Sequence, residues 1–154
     1  LPKNNFLKLV KKKCQSTGTL LILDEIQPGF GRTGKLFGFE HYDVIPDIIV
    51  MGKGMGGGLP IGAFCSSKKM MRLLENNPKL GHITTFGGNP VVAASALASI
   101  KTIYKENLID SVNEKEILFR KRLDHTLIKK INGKGLMLAI IFEKKSIANK
   151  LVLN

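Results

Sequence analysis

The chain has 154 residues, 44% of them hydrophobic, which suits one globular domain or part of a larger one. Its 24 Lys+Arg against 12 Asp+Glu give a net charge of +12, but the excess is spread over Lys11 to Lys13, Lys68-Lys69, Lys129-Lys130 and Lys144-Lys145 with no aromatic residue interleaved. That scatter, beside a richness in Asn and Ile expected of AT-rich coding, argues for compositional drift and against a nucleic-acid partner, and no apolar run is long enough to span a membrane.

Cys14 and Cys65 lie far apart and match no metal spacing, so no metal site is expected. They read as reduced thiols of a cytoplasmic protein, and no signal peptide is evident. Leu1-Pro2 is no initiator methionine, and the chain reads as starting in the middle of something. Phe6, Leu7, Val10 and Cys14 then recur at helical spacing until Gly18 stops the helix.

Thr19-Leu20-Leu21-Ile22-Leu23 is a continuous apolar run, the pattern of a parallel strand covered on both faces. Asp24-Glu25-Ile26-Gln27 follows it. Ligands of open α/β sheets sit off the carboxyl ends of strands, which makes Asp24 a candidate site residue; a turn or cap aspartate is the plainer alternative. Pro28-Gly29-Phe30-Gly31-Arg32-Thr33-Gly34 is a loop, and Leu36 to His41 a short irregular or helical piece whose Phe37 and Phe39 read as packing groups. Pro46 introduces a second strand, Asp47 to Met51.

That strand runs into Gly52-Lys53-Gly54-Met55-Gly56-Gly57-Gly58, one lysine among five glycines. Glycines allow close backbone approach to a ligand, and a partly dehydrated lysine is an amine nucleophile suited to Schiff-base chemistry. A flexible loop bearing a solvated lysine is the alternative. The stretch is not a phosphate-binding P-loop, because the lysine precedes most of the glycines and no Ser or Thr follows it.

Ile61 to Ser66 reads as a third strand, and Ser67 as the cap of a helix running to Glu75 and broken by Asn76-Asn77-Pro78. A small-residue loop from Gly81 to Pro90 carries Thr84 and Thr85 and opens a long helix to about Glu106, with Pro90 at its first turn. The N-terminus of that helix is a candidate phosphate contact. A further amphipathic helix is expected over about Leu108 to Ile128. Gly133 and Gly135 then introduce an apolar strand, Leu136 to Phe142, with a basic, helical or frayed end after Lys144. The order implies an α/β domain passing into a smaller α+β one.

Four motifs in order, Asp24-Glu25-Ile26-Gln27, Gly29-Phe30-Gly31-Arg32-Thr33-Gly34 with Pro46-Asp47-Ile48, Gly52-Lys53-Gly54, and Thr84-Thr85-Phe86-Gly87-Gly88-Asn89-Pro90, resemble the class III pyridoxal-phosphate (PLP) aminotransferases of the acetylornithine/ornithine type. The resemblance covers residue 1 to about 143 and fades after Phe142. It departs from the family at Asn132, where an arginine is frequent before Gly133-Lys134-Gly135-Leu136-Met137.

The resemblance implies a fold-type I PLP-transferase. Residues 1–105 would be the C-terminal part of its large domain, with a mixed, mainly parallel sheet, and 106–154 the start of its small one, the whole being a fragment of a longer chain. It implies PLP as cofactor and Lys53 as the catalytic residue, forming the internal aldimine and shuttling protons. Asp24 would pair with the pyridinium nitrogen and Gln27 would lie near the phenolic oxygen. Thr85 would bind phosphate across a homodimer interface, with Thr84 a weaker candidate and Arg32 structural. The reaction implied is transfer of an ω-amino group from acetylornithine or ornithine to 2-oxoglutarate, in amino-acid and arginine biosynthesis. Alternatives are another donor (4-aminobutyrate, another diamine, glutamate-1-semialdehyde), an inactive remnant, or a basic nucleic-acid binder.

Overall fold

A computed structural model describes residues 2–3, 5–76, 78–79 and 82–153. The first helix, α1 (Phe6–Thr17), ends where Gly18 adopts a left-handed φ of 67°, which its missing Cβ permits. Leu7 on its inner face meets Leu21 and Val44 in a buried cluster flanked by Val10, Cys14, Leu23, Phe39 and Tyr42. Phe6, expected on that face, is exposed instead.

Strands β1 (Ile22–Asp24), β2 (Ile48–Gly52) and β3 (Gly62–Ser66) form one sheet in that order. β1 and β2 are parallel, with Asp24 opposite Val50, and β3 is antiparallel to β2, with Gly62 opposite Gly52. The α/β class and the mixed sheet are as expected. The first strand is shorter than the apolar run, because Leu21 already bonds elsewhere: its N–H donates to Asp47 Oδ2 at 2.8 Å and its carbonyl accepts from Asp47 and Ile48. The two-sided burial expected of that strand is also absent among the described residues, since Ile22 is 54% exposed.

Asp47 is the knot of this unit. Besides Leu21, its carboxylate takes Lys11 Nζ of α1 at 2.9 Å, and its carbonyl accepts Ser66 Oγ of β3 at 2.6 Å. One side chain and its backbone thereby connect the helix with all three strands.

Ser67 caps α2 (Lys68–Met71) through its side chain, and a 3-10 turn (Arg72–Leu74) completes the segment expected to be one helix. Asn77 and Gly81, named in the expected break and loop, lie outside the described residues. Helix α3 (Pro90–Lys105) begins as expected, with Pro90 in its first turn and Asn89 Oδ1 accepting from the N–H groups of Val91 and Val92.

The next helix, α4 (Val112–Arg122), is shorter than the expected 108–128. Its expected end lies in β4 (Ile128–Lys134), a strand the sequence did not announce, which pairs antiparallel with β5 (Met137–Phe142). The expected helix overlaps β4 only at Ile128; the half-buried positions of β4, Ile128, Ile131 and Lys134, recur every third residue, so the strand lacks the alternation that would announce it. Helix α5 (Lys145–Leu153) follows.

Two ties hold the hairpin. Arg120 of α4 donates to the carbonyls of Ile131 and Gly133 at 2.9 and 3.0 Å while its Nε bonds Glu116, whose other oxygen accepts the Gly135 N–H. The Leu136 N–H donates to Arg32 O at 2.8 Å. Gly135 is required there: a Cβ would lie 2.7 Å from Arg32 O.

Candidate active site

The parallel pair β1–β2 sends two chain segments out of the same sheet edge. Glu25 N–H donates to Val50 O at 2.8 Å, extending the ladder one step past Asp24. Three residues beyond Val50, Lys53 starts a 3-10 turn (Lys53–Gly56) in a left-handed conformation, φ 43°. Few non-glycine residues sit there without compensation from their surroundings. Met55 and Gly56 are buried, while Lys53 is exposed. The dehydration expected of the lysine is therefore not supplied by the described residues.

Lys53 Nζ donates to Gln27 Oε1 at 3.4 Å, long for such a bond but enough to place the two side chains together. Both contribute to a cavity of about 500 Å³, also lined by Phe30, Arg32, Ile109 and Leu136. That volume is within the range of small-molecule sites. Asp24 does not line it. Its Oδ1 accepts the Ile26 N–H at 2.9 Å, an Asx-type turn, and Asp24 borders a separate recess of about 150 Å³. Thr85 is exposed, and no hydrogen bond among the described residues joins it to Asp24, Gln27 or Lys53. At the start of α3 the Val91 and Val92 N–H groups are already taken by Asn89, which leaves them unavailable to a phosphate unless the cap opens.

Three features escaped the sequence. Glu25, 3% exposed, accepts the Gly38 and Phe39 N–H groups at 2.8 Å each and so folds the glycine loop back on the strand end. Burial pushes its pKa up, partly opposed by those two hydrogen bonds. Thr33, fully buried, bonds His41 Nε2 through its carbonyl and hydroxyl; burial is the main cause of the lowered His41 pKa, with Lys134 adding to it. Ser95 and Ser99 of α3 donate to Gly56 O at 2.8 Å and Gly54 O at 3.1 Å, clasping the lysine turn. Their four-residue spacing in an alanine-rich helix was the available signal.

The family model for class-III aminotransferases matches residues 1–154. The match thus runs through α5, past the Phe142 limit expected from the motifs. The chain is 41% identical over 146 residues to a [LysW]-aminoadipate semialdehyde/glutamate semialdehyde transaminase of Sulfolobus acidocaldarius, covering 91% of this chain and 37% of that one. It is 42% identical over 137 residues to an acetylornithine aminotransferase of Caldanaerobacter subterraneus, covering 86% and 34%. Among solved structures, acetylornithine aminotransferase from Elizabethkingia anophelis superposes with a TM-score of 0.88 at 36% identity, covering 99% of this chain and 40% of that one. An ornithine aminotransferase from Toxoplasma gondii, described with partial occupancy of PLP at its active site, gives 0.83 at 36% identity, covering 93% and 34%. The chain spans little more than a third of the length of the curated relatives it matches. With the family model matched over every residue, the chain belongs to the class-III aminotransferases.

Proposed function

We propose that this chain carries the lysine-bearing part of a PLP-dependent transaminase that moves an ω-amino group from an acetylornithine- or ornithine-type donor to 2-oxoglutarate. The observation that carries the reading is the pairing of the Lys53 amine with the Gln27 amide at the carboxyl ends of adjacent parallel strands, one of which ends in Asp24. A primary amine, an amide and a carboxylate on neighbouring strand ends are a donor set suited to PLP; the amine and the amide line the cavity of about 500 Å³, which has room for it, while Asp24 lies outside that lining. Bound PLP supplies the electron sink for amino transfer.

The chain's own residues do the rest. Lys53 Nζ would hold the cofactor through its aldehyde and, when free, would move a proton at the donor's carbon. The Asp24 carboxylate would hold the proton on the ring nitrogen through Oδ2, since only Oδ1 takes the Ile26 N–H among the described residues. Gln27 orients the phenolic oxygen. Thr85 holds phosphate for a second subunit of a homodimer, consistent with its exposure and its lack of bonds to the other site residues. Residues 1–105 belong to the PLP-binding large domain and 106–154 to the start of the small one, a division supported by the separate β4–β5 sheet. The compartment is the cytoplasm, and the product enters amino-acid biosynthesis.

The similarity to a semialdehyde transaminase favours one second reading, a donor of the same class presented differently, as a semialdehyde-derived amine. Glutamate formation from 2-oxoglutarate, assayed in the intact protein with acetylornithine, ornithine and 4-aminobutyrate in turn, decides the donor. Turnover with one of the first two is expected. Preference for 4-aminobutyrate overturns the donor assignment, and no PLP-linked visible absorbance in the protein overturns the reading itself.

A further inference from the structure

The turn that carries Lys53 is held from outside. Two of its four residues are glycines, which lose the most conformational freedom on folding. Its own backbone supplies the i→i+3 bonds of a 3-10 turn, and beyond them Gly57 N–H reaches Gly54 O at 3.4 Å and Leu59 N–H reaches Gly56 O at 3.2 Å. A second restraint comes from α3. Ser95 Oγ donates to Gly56 O at 2.8 Å and Ser99 Oγ to Gly54 O at 3.1 Å, two bonds four residues apart on one helical face. The fit is close, since a Cβ on Gly57 would lie 3.1 Å from Ser99 Cβ and 3.3 Å from Ser95 Oγ.

We infer that Ser95 and Ser99 are positioning residues for the Lys53 amine. By fixing the carbonyls of Gly54 and Gly56 they keep Lys53 in its left-handed conformation, φ 43°, and aim Nζ at Gln27. Without them the residue relaxes toward the common negative-φ regions and the amine swings off the strand end. The role given to the amine rests on the proposed PLP chemistry; the backbone restraint does not.

The test separates the two. Amide hydrogen exchange of residues 53–57 is measured without PLP in the wild type, in a Ser95→Ala/Ser99→Ala variant and in Ser95→Thr, which keeps the hydroxyl. Exchange in the double variant is expected to speed up by about two- to tenfold per lost bond, with Ser95→Thr near wild type and amides in α1 unchanged. Borohydride trapping of PLP on Lys53, read by peptide mass at limiting PLP, is expected to slow in parallel. Unchanged exchange at residues 53–57 overturns the inference, as does faster exchange with undiminished trapping. A wild type that takes no PLP at all, with the exchange effect present, instead overturns the proposed function and leaves the restraint standing.

Discussion

Glu25 shows what one side chain contributes beside the candidate site. Its buried carboxylate accepts two backbone N–H groups from the Gly38-Phe39 segment, and nothing but an acceptor with two oxygens serves both. Glu25→Gln presents an amide NH₂ to one of those donors, so it is expected to cost about 1–3 kcal/mol at neutral pH in a urea titration. The pH dependence has a definite sign. Burial holds the folded pKa above the ordinary 4.5, so the folded state favours the protonated acid. This group's stabilising effect is full below 4.5 and falls as pH rises through the folded value. Glu25→Gln should flatten that decline; an unaltered pH profile contradicts the assignment. Lys53 was singled out by its glycine and strand-end context and Gln27 by the family resemblance; their proximity is what the structure adds. Glu25 was not, because its partners are backbone groups that leave no mark in residue identity.

Asp47 plays the same part between elements. Its carboxylate receives Leu21 N–H and Lys11 Nζ, and the first of these is the main cause of its lowered pKa, with Lys11 next. A depressed folded pKa gives stability that is present above the ordinary 3.8 and lost as pH falls through the folded value. Asp47→Asn should therefore destabilise by about 1–3 kcal/mol at neutral pH and remove this share of acid lability, both visible by thermal melts across pH. The elements themselves were unevenly legible. Gly18, Ser67 and Pro90 marked helix ends because their chemistry is local, whereas the Asn89 cap was not read. β4 was hidden by its lack of alternating burial, and the start of β1 by the claim of Asp47 on Leu21, which is a contact 26 residues away.

At the scale of the molecule, the described residues bury few large apolar side chains and expose many. Phe86 is 83% exposed and Ile45 80%, and Leu9, Val91, Leu97 and Tyr104 are also exposed. Apolar surface on this scale is a feature of interaction surfaces and of aggregation-prone chains alike. Nile red, a neutral dye chosen because the +12 charge attracts anionic ones, should gain fluorescence on this chain independently of salt. The fold class was readable because strand, loop and helix order survive in the pattern of apolar runs. The extent of exposure was not, because the continuous run at residues 19–23 carries no information about which face another segment covers.

The central claim concerns a single amine, and peptide mapping after borohydride reduction with PLP addresses it most directly. Lys53 competes there with the remaining lysines, many of them exposed as it is. The account predicts the reduced PLP adduct on Lys53 at substoichiometric cofactor and no preferred site in Lys53→Arg. Adducts spread over Lys11, Lys12, Lys68 and Lys129 with Lys53 unmodified would contradict it.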